Sequence, residues 1–471
     1  MSLLRHEWRL LRADRMLALT TTFLLLLVAL GLFNGWRFTR TLQAHQQSLI
    51  AQETERRAQL ALQAEELRQG KGQEVPAWKS PAMPVPVGSR LVQPQALLPP
   101  GPLGALVIGQ LDLLPTVYQV SLQGRVTDFA RDTLEHPTHL ATGPLDLAFV
   151  LLYLLPLFAL ALSFDLVSRE REDGTLRLVL VQAAGLRGWA LRRLAVRAGV
   201  LLGLCVLAGL AGHVLTGGPG GTGRLLGWVV LVVAYGAFWF ALALAVNALG
   251  LGSSTNALVL LGAWVLLVVV VPAVAQLGVS RMYPVPSRVA LVGATRTASL
   301  EAEKRGSEVL SAYLQDHPEL APEGTRTEGY WPTALAVQDE AARATAPVVA
   351  AFQAQLARQQ ATLGVLRFAS PALAFQQALQ DVAGTGSRRH EHFLAQVDRF
   401  HTAWREALLP RVFAASPLGA AEHRALPRFA YEEQPGSDVV AQVALGLLAL
   451  LLPTLLALGL GLSWLGRPRI S

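Results

Sequence analysis

The chain has 471 residues, 52% of them hydrophobic and only 15% charged, with a mean hydropathy of +0.38. Soluble domains carry about 25% charged residues, so an ordinary soluble domain is excluded, and a disordered chain would not be this apolar. The net charge of +7 finds its explanation in membrane topology, and without a soluble basic face no nucleic-acid partner is expected.

At the N-terminus, over 1–15, Leu4, Trp8 and Leu11 share one helical face while Arg5, Arg9 and Arg12 share the next. That pattern predicts a cytoplasmic interfacial helix against membrane lipid. A hydrocarbon core takes about 20 apolar residues to cross, and six runs meet that length, over 16–36, 145–164, 198–216, 225–246, 257–276 and 439–465. Asp146, at the edge of the second run, is the one acidic residue within them. The fold class that follows is an all-α polytopic membrane protein of six transmembrane helices with a mainly helical extracytoplasmic domain, short strands being allowed.

Arginines set the orientation. Arg5, Arg9, Arg12 and Arg15 precede the first span, and Arg169, Arg171, Arg177, Arg187, Arg192, Arg193 and Arg197 crowd the loop over 165–197. The positive-inside rule puts both in the cytoplasm together with the Arg467 and Arg469 tail, so segments 37–144 and 277–438 face outward. The first span reads as an uncleaved anchor, because no small-residue cleavage site follows it. Cys205 is the single cysteine, so no internal disulfide is expected.

Between the spans, 41–69 contains neither Gly nor Pro and predicts a helix projecting from the membrane until Gly70 and Gly72 stop it. Prolines recurring from Pro76 to Pro102 predict an irregular arm, followed by a short strand pair over 105–108 and 117–122. The second outer segment predicts helices over 298–314, 333–366 and 388–409.

Chemistry is sparse. Gly218 to Leu225 is a near miss to a phosphate-cradling loop, but Arg224 and Leu225 replace the lysine and the magnesium-binding hydroxyl, so a tight hairpin is expected. Spans whose ionisable residues are limited to Asp146 and His213, both near span ends, do not suit an ion-coupled carrier or an intramembrane protease. His390, His392 and His401 are the candidates for a metal, with His136 and His139 behind them; solvated surface is the preferred reading, and no metal or other cofactor is expected in this chain. The loop over 165–197 is different. Arg169, Glu170, Arg171, Glu172 and Asp173 precede Gly174 and Thr175, and an apolar stretch with Leu176 and Leu180 follows. Arg169 and Asp173 are spaced to pair along a helix, and exposed apolar residues beside charges suit a partner's groove. A membrane protein with no energy source of its own and one conspicuous docking element calls for an external motor.

The run Glu170-Arg171-Glu172-Asp173-Gly174-Thr175-Leu176 after the span over 145–164 resembles the E-x-E-x-G-T-L signature of type-2 ABC transporter permeases. Gly109 to Pro115, Ser370-Pro371 through Ala383-Gly384-Thr385-Gly386, then Arg389-His390 and Phe393, resemble the branch of that family with a large periplasmic insert of unknown function. Gln182 to Gly185 departs from the pattern, which often has a proline there. The resemblance implies a non-catalytic permease subunit in the bacterial inner membrane, with both termini cytoplasmic. It implies a homodimer or heterodimer of permeases, with ATP and magnesium held by a separate ATP-binding subunit. That subunit would dock on a coupling helix over 168–188, through Arg169, Glu170, Glu172, Asp173, Gly174, Thr175, Leu176 and Leu180. Transport, most simply export, and a mechanotransmission or scaffold role toward an extracytoplasmic partner without substrate transport are the two functions it leaves.

Overall fold

The computed structural model describes residues 15–71, 75–122, 145–176, 178, 185–216, 221–320 and 329–466. The expected interfacial helix up to residue 14, His136, His139, Leu180, residues 182–184, the glycines at 218 and 220, and the Arg467 and Arg469 tail lie outside the described residues.

The fold is mostly helical, and among the described residues five helices are long and apolar enough to cross a membrane, in keeping with a membrane-embedded chain. Helix α1, Arg15–Arg68, runs for 54 residues, about 80 Å at the usual rise. It is unbroken because no Gly or Pro falls between Gly35 and Gly70, whose positive φ of 68° turns the chain away. The following arm is less irregular than its prolines predict, because proline is tolerated in the first turn of a helix. Short helical turns form at Ala77–Lys79, Pro84–Pro86 and Val87–Leu91.

Strands β1, Gln95–Leu97, and β2, Val117–Gln119, pair antiparallel with Ala96 opposite Tyr118. The expected pairing of 105–108 with the second strand is therefore corrected. That run sits between Gly104 and Gly109 as a buried turn, and its Ile108 N–H donates to Asp146 Oδ2 at 2.8 Å. Asp146 also caps α2, Leu147–Ala161, by accepting the Phe149 N–H at 2.8 Å. Helix α2 is about 22 Å long, shorter than the other apolar helices.

There follow α3, Ser168–Glu172; α4, Leu186–Thr216; α5, Thr222–Ala248; and α6, Ser253–Met282. Beyond them come α7, Arg288–Lys304; α8, Gly306–Asp316; α9, Tyr330–Leu366; α10, Pro371–Ala383; α11, Ser387–Phe413; α12, Ala420–Ala425; and α13, Gly436–Leu465. Where one helix is predicted over 298–314 there are two, because the Arg305 backbone leaves helical geometry at φ −108° and ψ 26° just before Gly306.

Two apolar cores result. In one, α1, α2, α4, α6, α10 and α13 surround α5, whose Trp228, Tyr235 and Trp239 are fully buried. In the other, the far half of α1 and both strands join α7, α8, α9 and α11 around Phe393, Trp404 and Leu408. Helix α10 departs from its predicted place. It belongs by sequence to the outer segment, yet Ala374, Phe375, Ala378 and Leu379 are buried in the core of the apolar bundle, with Phe375 stacked on Tyr235 at 4.2 Å. A helix of about 10 to 14 residues is short for a crossing but suits a buried or re-entrant element.

Close approach of α10 and α13 needs a glycine. A Cβ on Gly446 would lie 2.4 Å from Ala378 Cβ, whereas one on Gly459 of the same helix meets nothing within 4 Å. Gly446→Val should therefore lower the unfolding temperature, reflecting an overpacking cost of about 1–3 kcal/mol. Gly459→Val should leave it unchanged, as read by thermal unfolding of the purified protein in detergent.

Candidate functional site

The motif over 169–176 folds as a reverse turn at one end of the bundle, and its residue spacing is explained by what each side chain holds. Glu170 Oε1 accepts from Arg193 Nη1 at 3.0 Å, and its other oxygen accepts from the Thr175 hydroxyl, which folds the chain back. Glu172 accepts the Ser253 N–H at 2.6 Å and the Ser253 hydroxyl at 2.8 Å, so it caps the N-terminus of α6, where a carboxylate is favoured. Those two bonds hold its carboxyl below the ordinary glutamate range. Gly174 lies between, at φ +72° with open space around it, the left-handed turn that glycine allows.

The preceding residues, 162–168, are pinned more deeply. The Asn247 side chain, at the end of α5, accepts the Val167 N–H at 3.1 Å and donates to Ser163 O and Ala243 O, each at 2.9 Å. Asn256 of α6 donates to Phe164 O at 3.2 Å. Arg193 also donates to Leu166 O at 3.1 Å, and Arg197 donates to Leu162 O and to Asp165 at 3.2 Å. These arginines, predicted in a loop, lie in the first half of α4 and bond back onto the turn.

Burial changes abruptly along this segment. Leu166, Val167 and Ser168 are buried, while Arg169, Arg171, Asp173, Gly174 and Thr175 are exposed. Arg169 reaches Asp165 at 3.5 Å and Asp173 at 4.0 Å, the latter being the predicted helical spacing. Leu176 is half-buried and Leu178 is 61% exposed. The helix itself is short, ending at Glu172. We name this braced turn the clip. The sequence named its outward residues together with Glu170 and Glu172, which turn out to face inward as braces; of the other braces, Asn247 and Asn256, polar residues beside apolar runs, offered the signal.

The other end of the bundle gathers the remaining motif residues. Gln110 N–H donates to Thr385 O at 3.0 Å, and a Cβ on Gly109, at φ +61°, would lie 2.4 Å from the Thr385 hydroxyl oxygen. Arg389, 2% exposed, makes a two-pronged ion pair with Glu433, 2.9 Å on each side, and donates to Pro99 O and Gly384 O. Arg224 of α5 joins Glu433 at 3.4 Å and Val382 O at 3.4 Å, so its partners are a carboxylate and a carbonyl. Burial tends to raise the Glu433 carboxyl, but the bond to Arg389 and the two arginine charges hold it below its ordinary value.

The candidate metal ligands do not converge. His390 Nε2 lies 3.0 Å from Pro115 O and His392 Nε2 lies 3.1 Å from Glu432 O, while His401 is buried on another turn of α11. Burial pulls His390 below its ordinary pKa despite that carbonyl. Among the described residues no three His, Cys, Asp or Glu side chains come together.

Residues 288–432, under a third of the chain, match a family described as a domain of unknown function (DUF3526). The match runs from α7 through α12. No curated protein and no solved structure matches the chain.

Removing the Asn247 amide should release the clip. Asn247→Ala leaves the buried Val167 N–H without its partner, a loss that costs about 1–3 kcal/mol, and leaves Ser163 O with the Leu166 N–H alone. Limited trypsin digestion should then cut at Arg169 or Arg171 at least about tenfold faster than in the parent protein.

Proposed function

We propose that this chain is the transmembrane permease subunit of an ATP-binding-cassette transporter, working as an exporter and driven by a separate ATPase subunit that docks on the clip. The observation that carries the reading is the clip's division of labour. Its outer surface, with Arg169, Arg171, Asp173, Thr175 and Leu178, is exposed, while its inner surface is bonded to α4, α5 and α6. A contact meant to receive force needs that combination, because a loose loop would absorb displacement.

In this reading α2 supplies a sixth crossing beside the five long helices, and the chain lies in the bacterial inner membrane with the clip and both termini cytoplasmic. The unit built on the second core, around Trp404, is then extracytoplasmic. Two permeases, alike or different, join two ATPases that hold ATP and magnesium; this chain catalyses nothing. ATP binding draws the ATPases together, the clip follows, and the ends of α4, α5 and α6 move as one body. Glu170 and Glu172 serve from the inside, as braces, while the exposed residues make the contact.

One observation favours a second reading. Helix α10 packs into the bundle core and leads within a few residues into α11 of the second core, a connection suited to mechanotransmission, in which hydrolysis moves the outer domain with no substrate crossing.

Two variants test the docking. Gly174→Val forces a branched side chain into left-handed geometry, and Glu170→Gln weakens the brace to Arg193. Both should lower the permease-stimulated ATPase rate of the co-purified complex by about 5-fold or more, the scale of a coupling free energy, while the membrane part keeps its unfolding temperature. Unchanged stimulation in both would remove the clip from the mechanism.

A further inference from the structure

Two helices of the bundle widen by a turn just before a proline. Val150–Leu154 precedes Pro156 in α2, and Val265–Val270 precedes Pro272 in α6. Proline supplies no N–H to the preceding turn, and widened turns are frequent at functional positions. Carbonyls in both segments take side-chain donors from neighbouring elements. Tyr235 of α5 donates to Leu152 O at 2.8 Å, Trp264 of α6 donates to Tyr153 O at 3.2 Å, and Ser370 donates to Leu267 O at 2.5 Å.

Ser370 is also the N-cap of α10, its hydroxyl accepting the N–H groups of Ala372 and Leu373. The start of α10 is thus fastened to the middle of α6. Its flank is stacked on Tyr235, which in turn holds α2. Its far end is gripped by Arg389 at Gly384 and by Arg224 two residues earlier, at Val382. Helix α5 supplies two of these fastenings, Tyr235 and Arg224, and near its other end places Asn247 against the clip. From Arg224 to Asn247 it spans about 35 Å.

We infer that α10 is a strut that makes the clip, the widened turns and the Arg389–Glu433 junction one mechanical unit, so that none of the three loosens alone. Its purpose rests on the ATPase reading, since a strut needs a push at the clip to deliver. Its existence does not, and is measured without any partner. The widened turns are the places where α2 and α6 flex as that push passes, with Tyr235 and Ser370 keeping their carbonyls bonded.

The test is hydrogen exchange by mass spectrometry on the full chain in lipid nanodiscs, comparing the parent protein with Tyr235→Phe and Ser370→Ala. Tyr235→Phe keeps the stack on Phe375 and removes only the hydroxyl, so it decides the matter should Ser370→Ala fail to fold. A strut predicts exchange at least about threefold faster, the scale of one hydrogen bond inside a membrane protein, at both distant ends, residues 162–168 and 383–390. Acceleration confined to 367–376 and 150–154, or no change at all, overturns the inference. Failure to find an ATPase would leave this result standing, and failure of the strut would leave docking on the clip untouched.

Discussion

One side-chain amide governs the end of the bundle on which the functional reading rests. Asn247 has a single carbonyl and a single NH₂ group, and it engages both, taking the Val167 N–H and giving protons to Ser163 and Ala243. The chain between α2 and α3 leaves regular structure in an apolar setting, where free backbone groups are costly. Asn247 and Asn256 replace the helical partners that this turn lacks, and Arg193 and Arg197 do the same from α4. Only after those needs are met does the chain present an exposed surface at Arg169 to Thr175.

The same constraint recurs wherever the bundle departs from regularity. At the widened turns of α2 and α6, donors come from Tyr235, Trp264 and Ser370. At the opposite end, Arg389 satisfies Pro99 O and Gly384 O before pairing with Glu433. The apolar helices supply the bulk of the packing, and a small set of polar side chains decides which helices move together. That set is concentrated on or against α5, the most completely buried of the long apolar helices.

The sequence made some of this legible and hid the rest for identifiable reasons. Helix α1 was readable because its C-terminal half has no Gly or Pro, and the motif around Gly174 because its residues are consecutive. Helix α10 was not, because Gln376, Gln377, Gln380 and Asp381 give it the composition of a solvated helix, although its Ala and Phe face lies in the bundle core. Arg193 and Arg197 read as loop charges because counting charges says nothing about where α4 begins. The strand pairing was misplaced because the apolar run over 105–108 is buried in the bundle core, with Leu106 and Val107 inside it and the Ile108 N–H on Asp146, rather than by a partner strand. What joins the two motif regions to the fold, Thr385 against Gly109 and Arg389 against Glu433, lies far apart in the chain and becomes visible only in three dimensions.

The most direct measurement is purification of the tagged chain from its native membrane in mild detergent, followed by mass spectrometry and an ATPase assay of the eluate. The account predicts a stoichiometric ATP-binding subunit and vanadate-sensitive hydrolysis, both lost when Arg169 and Asp173 are reversed in charge together with Leu178→Glu. A parent protein that elutes without such a subunit, and without hydrolysis, would contradict it.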